Sequence, residues 1–508
     1  LPQPSQPPVA AHDLSYLTDR IGSFFRQAQE AYARVEFGRM ASIDSRNLAS
    51  FDVGVDVAIV GAGAAGLIAG LAAREAGAES VVILERDAVP AGSTALSAGL
   101  IPAPGTRWQR EAGIEDDARL FAEDIFHKAD NEPDEALVRL VAEAAGPTVE
   151  WLADRYGLPF SVISDFSYPG HSRRRMHGLP LRSGQELVDA LRDAAEGAGC
   201  DILCDSTVET LYRDDVGRMT GLQLARPDRT RETLGAKAIV LACNGYGGNK
   251  ALLEREIPEM AGAHYFGHEG NRGEAVLWGE ALGARLRHLS GHQGHGSVAH
   301  PAGILITWAA ITEGGFQINR SGERFSNEAK GYSEQAAEVL RQPDATAFDI
   351  FDERIAAICR QFEDFRRAEA MNAVVEAGSF AELAARLGVD PERLDATASA
   401  VEAMKAGRSN DPFGRDLAGV APLQAPFKAV RVTGALFHTQ GGLVVDEKAR
   451  VVTQGGAPIP NLFAAGGAAC GVSGSKASGY LSGNGLLTAV SLGRIAGQAA
   501  ARVVGQPA

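Results

Sequence analysis

The stretch DVAIV-GAGAAG, residues 56–66, joins an apolar strand, a glycine turn and the start of an apolar helix without a break. That order leaves few folds open. Gly61 permits the turn, Gly63 lets backbone come close to a pyrophosphate, and Gly66 lets the helix pack on the strand. Ala64 and Ala65 fall on the first helical turn, whose N–H groups face the same phosphates. The next strand, VVILERD, places Glu85 19 residues after Gly66, where a carboxylate accepts hydrogen bonds from a ribose. With its strand, helix and acid all present, the fingerprint predicts dinucleotide binding.

A chain of 508 residues is too long for one ordinary core, so two or more packed units are expected. The net charge of −15 argues against nucleic acid or an anionic membrane as the main partner. Five cysteines (Cys200, Cys204, Cys243, Cys359, Cys470) show no C-x-x-C spacing. That excludes a zinc ribbon, a ferredoxin-like cluster and c-type haem, and points to a reducing, cytoplasmic setting. No metal site is expected. His292, His295 and His300 lack carboxylate or cysteine company and read as loop histidines. The run Ser172-Arg173-Arg174-Arg175 reads as a solvated face. The apolar stretch from Val57 to Ala73 has transmembrane character, but its glycines and the fingerprint within it rule that out, so no transmembrane segment is expected.

Helical periodicity is expected over 14–40, after a Pro-rich arm, and over 114–156 and 184–198. TVETLYRDDVGRMTGLQLA reads as a strand pair and AKAIVLACNG as a buried strand. From about Arg287 to Val430 the pattern turns to irregular stretches and short helices, as an inserted second domain would. A small-residue loop after Glu85 carries Arg86, Ser93, Thr94, Ser97 and Gly99, and suits the face of a flat ring system. Near the C-terminus, Gly466 and Gly467 follow a strand. Asn484, Gly485 and Leu486 then open a long apolar helix. A second helix N-terminus beside a flavin would stabilise charge on its pyrimidine edge; a nicotinamide enzyme has no use for it.

The order of these motifs, with Leu241–Asn249 and GNRGEAVLWGEALGA at 270–284, resembles the fumarate reductase and succinate dehydrogenase flavoprotein superfamily over about residues 55–500. The resemblance implies an α/β fold: a Rossmann-like FAD-binding domain interrupted by a smaller α+β capping, or catalytic, domain. It maps to an N-terminal arm and helical extension at 1–50, an FAD-binding domain at 51–287 and 432–508, and a cap at 288–431.

Departures from the respiratory members narrow the expectation. Ser93 stands where those members carry the histidine that bonds covalently to FAD, so FAD is expected to bind non-covalently. Tyr332, four residues beyond the motif Arg324-Phe-Ser-Asn-Glu328, replaces a proton-donating arginine. Tyr480 replaces an arginine that clamps a substrate carboxylate. Carboxylates want a bidentate guanidinium partner. The pair of tyrosines, with Tyr480-Leu-Ser482, resembles the 3-ketosteroid dehydrogenases of the Δ4 type and cyclohexanone dehydrogenase. His438 matches a family histidine that contacts substrate. The resemblance therefore implies an FAD-dependent oxidoreductase acting on CH–CH groups. It would desaturate a cyclic ketone next to the carbonyl, a 3-oxosteroid or a cyclohexanone such as an oxocyclohexanecarboxylate, for an unknown electron acceptor. Tyr332 would take the α-proton and flavin N5 the hydride; Tyr480 and Ser482 would donate to the ketone oxygen or support Tyr332. The alternative is a fumarate reductase-like reductase of an unsaturated acid. A flavin subunit that only passes electrons is a third reading, which an acid–base pair of tyrosines opposes.

Overall fold

The computed structural model describes residues 41–45, 50–164 and 168–505; the helix expected over 14–40 lies outside them. Val53–Val60 forms the central strand of a nine-stranded sheet. Six of its eight residues are buried, because parallel neighbours and helices cover both faces. Val81–Leu84 runs parallel on one side, followed by Asp201–Leu203; Arg231–Leu241 runs parallel on the other. The hairpin of Thr207–Arg213 and Met219–Ala225 pairs antiparallel with the first half of Arg231–Leu241. Pro458–Ala464 pairs parallel with its last residues. The strands that surround the fingerprint thus end together at one edge, where the chain crosses between sheet neighbours and ligands of such sheets bind.

Two helices cover this edge. Ala64–Glu75 follows the fingerprint, and Asn484–Val504 lies directly against it. A Cβ at Gly493 would come within 2.6 Å of the Ala65 carbonyl oxygen, and one at Gly497 within 2.1 Å of that of Ala69. These glycines, one turn apart, let the two backbones touch and bring both N-termini to the same place. Residues 114–156 resolve into two helices, Ala118–Lys128 and Glu135–Tyr156.

A second apolar core, running from Ala299 to Val432, surrounds a seven-stranded sheet. Its spine is Phe427–Thr439, which pairs antiparallel with His292–Ala299 and with Thr346–Asp352. The sequence reads as irregular here because Gly294, Gly296 and Gly434 interrupt the apolar alternation. The structure supplies the reason for them. A Cβ at Gly294 or Gly434 would collide with helix Tyr332–Leu340, which lies flat on the sheet. His292 and His295 are accordingly buried strand residues, and the expectation of loop histidines is corrected.

Beneath this helix Asp349 is fully buried, accepting hydrogen bonds from Ser297 Oγ and from Gln317 Nε2 at 2.7 Å. Burial pushes its carboxyl up to about 7. An acid with a raised folded-state value stabilises the fold at low pH, and that contribution drains away as pH climbs from about 4 to 7. Asp349→Asn should therefore gain thermal stability relative to the unsubstituted chain as pH rises from 4 to 8. A pH-independent difference in melting temperature would show that the carboxyl is ionised throughout.

Among the described residues, no helix is long and apolar enough to cross a membrane.

Candidate active site

A cavity of about 720 Å3 opens at the strand ends, and both helix N-termini face it. Gly61, Gly63, Ala64 and Ala65 form its floor. Gly61 has φ +107°, and a Cβ there would strike the Ala242 carbonyl; Gly66 fills no wall but would strike Gly61 itself. At Gly63 a Cβ would meet only Thr94 Oγ1, at 3.4 Å, so its missing side chain leaves room for a ligand. Glu85 holds the turn, its carboxylate accepting from Ala62 N at 2.9 Å and Asp87 N at 3.1 Å. Arg86 donates to Glu274 at 2.5 Å. Thr94 Oγ1 accepts from Ala64 N at 3.1 Å, and Ser97 Oγ donates to the Thr94 carbonyl. Ser93 Oγ accepts from Asn271 at 2.8 Å. Gly466, Gly467, Gly485 and Leu486 close the far wall.

Two expected cofactor residues stand behind the surface with Gly66. Gly99 packs against the Ser183 carbonyl, and Asn484 is buried, donating to Ser473 Oγ at 3.0 Å. The walls fit a dinucleotide. Gly63 leaves the phosphate approach open, and two buried polar atoms on the cavity side, Glu274 Oε2 and Trp278 Nε1, have no partner among the described residues.

At the other end the two cores meet. Tyr332 begins its helix on the second core, and its hydroxyl lies 2.9 Å from Ser482 Oγ. Ser333 accepts from Gly294 N at 3.0 Å, which fixes the start of that helix on the sheet. The Tyr332 ring stacks on His295, centroids 5.0 Å apart. Tyr480 stands edge-on to His438, centroids 5.3 Å apart. Burial raises both phenols above the usual tyrosine range; the N–H groups of Gly483 and Gly485 at the helix N-terminus offset only part of the rise at Tyr480. Burial lowers His438 to about 4 and His295 to about 3, so both rings are neutral near pH 7. Gln440 Nε2 is 2.8 Å from His438 Nδ1, and Ser473 Oγ donates to Gln440 Oε1 at 2.6 Å. The amide nitrogen therefore donates to Nδ1 and leaves the proton on Nε2.

Sequence reasoning missed three side chains here. Tyr168 lines the cavity close enough to Tyr332 and Tyr480 to affect both, and Trp308 and His295 complete an aromatic wall. Their only sequence signal is residue type. Further lining comes from the apolar Leu96, Leu305, Ile358 and Phe362, the polar Thr307, Thr312 and Gln361, and the acids Glu313 and Asp364. Arg86 is the one arginine or lysine among all the described lining residues.

A family profile described as an FAD binding domain matches residues 56–486. The chain belongs to this family. It is an FAD-dependent oxidoreductase of the fumarate reductase and succinate dehydrogenase flavoprotein superfamily. A probable fumarate reductase, Ifc3, of Shewanella frigidimarina is 31% identical over 450 residues, covering 88% of this chain and 74% of the relative. The 4-oxocyclohexanecarboxylate 2-dehydrogenase of Sinomonas cyclohexanicum is 27% identical, covering 88% and 93%. The solved 3-ketosteroid Δ4-(5α)-dehydrogenase of Rhodococcus jostii RHA1, in complex with 4-androstene-3,17-dione, superposes with TM-score 0.74. It is 26% identical, covering 91% of this chain and 99% of that one. Identity is thus higher to the fumarate reductase than to either ketone dehydrogenase.

Proposed function

We propose that this flavoenzyme desaturates a neutral cyclic ketone of the 3-oxosteroid class at the carbon–carbon bond beside the carbonyl. The observation that carries this is the reacting end of the cavity. It offers Tyr332, Ser482 and Tyr480 hydroxyls and two neutral histidines, and no guanidinium. FAD bound in this cavity would supply the hydride acceptor. Tyr480, beside the N–H groups of Gly483 and Gly485, polarises the ketone oxygen, where negative charge develops as the α-proton leaves. Tyr332 takes that proton in its phenolate form, which burial disfavours and the hydrogen bond from Ser482 favours, so the phenol must lose its own proton before the α-proton moves. Leu96, Leu305, Ile358 and Phe362 offer apolar surface to a multi-ring body, and Glu313 and Asp364 repel an anionic one, against an oxocyclohexanecarboxylate. The higher identity to a fumarate reductase favours the alternative, reduction of an unsaturated acid, but such a substrate finds no cation at the tyrosine end. Five free cysteines support a cytoplasmic setting.

The test is anaerobic mixing of yellow holoenzyme with a saturated 3-oxosteroid, with 4-oxocyclohexanecarboxylate and with succinate. The steroid should bleach the flavin, the carboxylated ring should do so more slowly, and succinate should not. Acid precipitation should release intact FAD, since the Ser93 hydroxyl offers no covalent link. Reduced enzyme that consumes fumarate as fast as any ketone reaction would overturn the reading.

A further inference from the structure

The arginine run does not form a solvated face throughout. Arg175 is fully buried, and its guanidinium bridges Asp116, with contacts of 2.9 Å, and Asp124. Its Nη1 also lies 3.2 Å from His171 Nδ1. An arginine only donates, so Nδ1 must accept and the His171 proton resides on Nε2. That Nε2 lies 2.9 Å from the backbone carbonyl of Ser482, to which it donates. One residue earlier, Gly170 packs so closely on Leu481 that a Cβ would come within 2.8 Å of its side chain. The imidazole also stacks on Phe121, centroids 5.9 Å apart. The segment 168–171 thus grips 481–482 at two points, and the gripped residue is the one whose hydroxyl meets Tyr332 from the opposite core.

We propose that His171 is a positioning residue: oriented by the Asp116–Arg175–Asp124 cluster, it holds the Ser482 peptide so that the Ser482 hydroxyl supports proton transfer at Tyr332. It touches neither substrate nor cofactor. The cluster provides stiffness: Gln109 donates to Asp116 at 2.9 Å, and Ser172 donates to Asp124 through both N and Oγ. Both ring nitrogens of His171 are engaged, Nδ1 by Arg175 and Nε2 by the Ser482 carbonyl, so the imidazole cannot rotate without breaking two bonds. The catalytic part of the proposal rests on the proton-transfer roles given above; the orientation of His171 does not.

Two measurements test it. In the holoenzyme with 15N-labelled histidine, His171 should show the neutral Nε2–H tautomer at pH 6 to 8. A Nδ1–H tautomer or a protonated ring would overturn the proposal, and this readout needs no substrate, so it decides even if every ketone fails to react. In single-turnover flavin reduction, His171→Leu should lose roughly 10²-fold in rate, as a displacement of order 1 Å does, with the affinity for a non-reacting ketone within about threefold of normal. His171→Gln, whose amide can accept from Arg175 and donate to Ser482, should recover most of the rate. Combined with Ser482→Ala, His171→Leu should add little further loss, because both act through one hydroxyl. Losses that multiply in the double variant, or an unimpaired His171→Leu rate, would overturn the positioning role.

Discussion

Tyr332→Phe holoenzyme is expected to reduce its flavin with ketone at least about 10²-fold more slowly than the unsubstituted enzyme, the usual range for positioned proton transfer being about 10²–10⁴. The change removes one oxygen that is within 2.9 Å of Ser482 Oγ and leaves the ring stacked on His295. The aromatic wall is preserved, so FAD content and the affinity for a non-reacting ketone should stay near normal. The loss falls on the transition state, where the α-proton moves, rather than on ground-state binding. Tyr480→Phe should cost about 10²-fold by removing one donor to the developing oxyanion. The double Phe variant should lose less than the product, since both hydroxyls serve one charge-separated state. Rapid-mixing absorbance of the flavin band checks all three. Normal reduction by Tyr332→Phe would mean that another group, such as Tyr168 on the same cavity wall, takes the proton.

Arg324→Met should destabilise the second core by about 3–5 kcal/mol, the cost of stranding buried charges. Arg324 donates to both oxygens of Glu328, at 2.9 and 2.7 Å, and to both of Asp411, at 3.0 Å each, with all three side chains nearly inaccessible to solvent. Removing the guanidinium leaves Asp411 without its cation and Glu328 with Arg415 alone, at 3.3 Å. Arg324→Lys should fall between, because an ammonium cannot serve two carboxylates in bidentate fashion. Burial opposes ionisation of Asp411, but the hydrogen bonds and charge of Arg324 with backbone N–H groups outweigh it and hold its carboxyl below the usual range. A depressed carboxyl stabilises the fold above its unfolded-state value and loses that contribution as pH falls. The stability of the parent chain should thus fall on acidification more steeply than that of Arg324→Met. Denaturant titrations at pH 7 and pH 3 read both effects, since the contribution is lost only below the unfolded-state value of about 4. Equal stability at pH 7 would show that the cluster contributes nothing net.

How far the sequence reveals this molecule depends on the range of each interaction. Strand, turn and helix at the fingerprint were legible because their signals are local: apolar runs, glycines at fixed offsets and an acid at the next strand end. The tyrosines were visible only through departures from a family pattern, since nothing local distinguishes Tyr332 from a surface residue at a helix start. The partnership of Tyr332 with Ser482 spans 150 residues, and that of His171 with Ser482 spans 311. No periodicity encodes either. Arg175 was misread for the same reason: three consecutive arginines look solvated until Asp116 and Asp124, from elements far earlier in the chain, enclose the last of them. The buried strand His292–Ala299 was hidden by its glycines, which belong to helix packing rather than to loops.

The strand Phe427–Thr439 starts among the residues of the second core and ends with Phe437, His438 and Thr439 on the cavity wall, paired along the way with His292–Ala299. No loop intervenes between the two environments. The second core and its sheet are therefore not a portable module: to transplant them between relatives as an engineering exercise, the cut must pass outside both strands. A splice within either would shear the very ladder that aims His438.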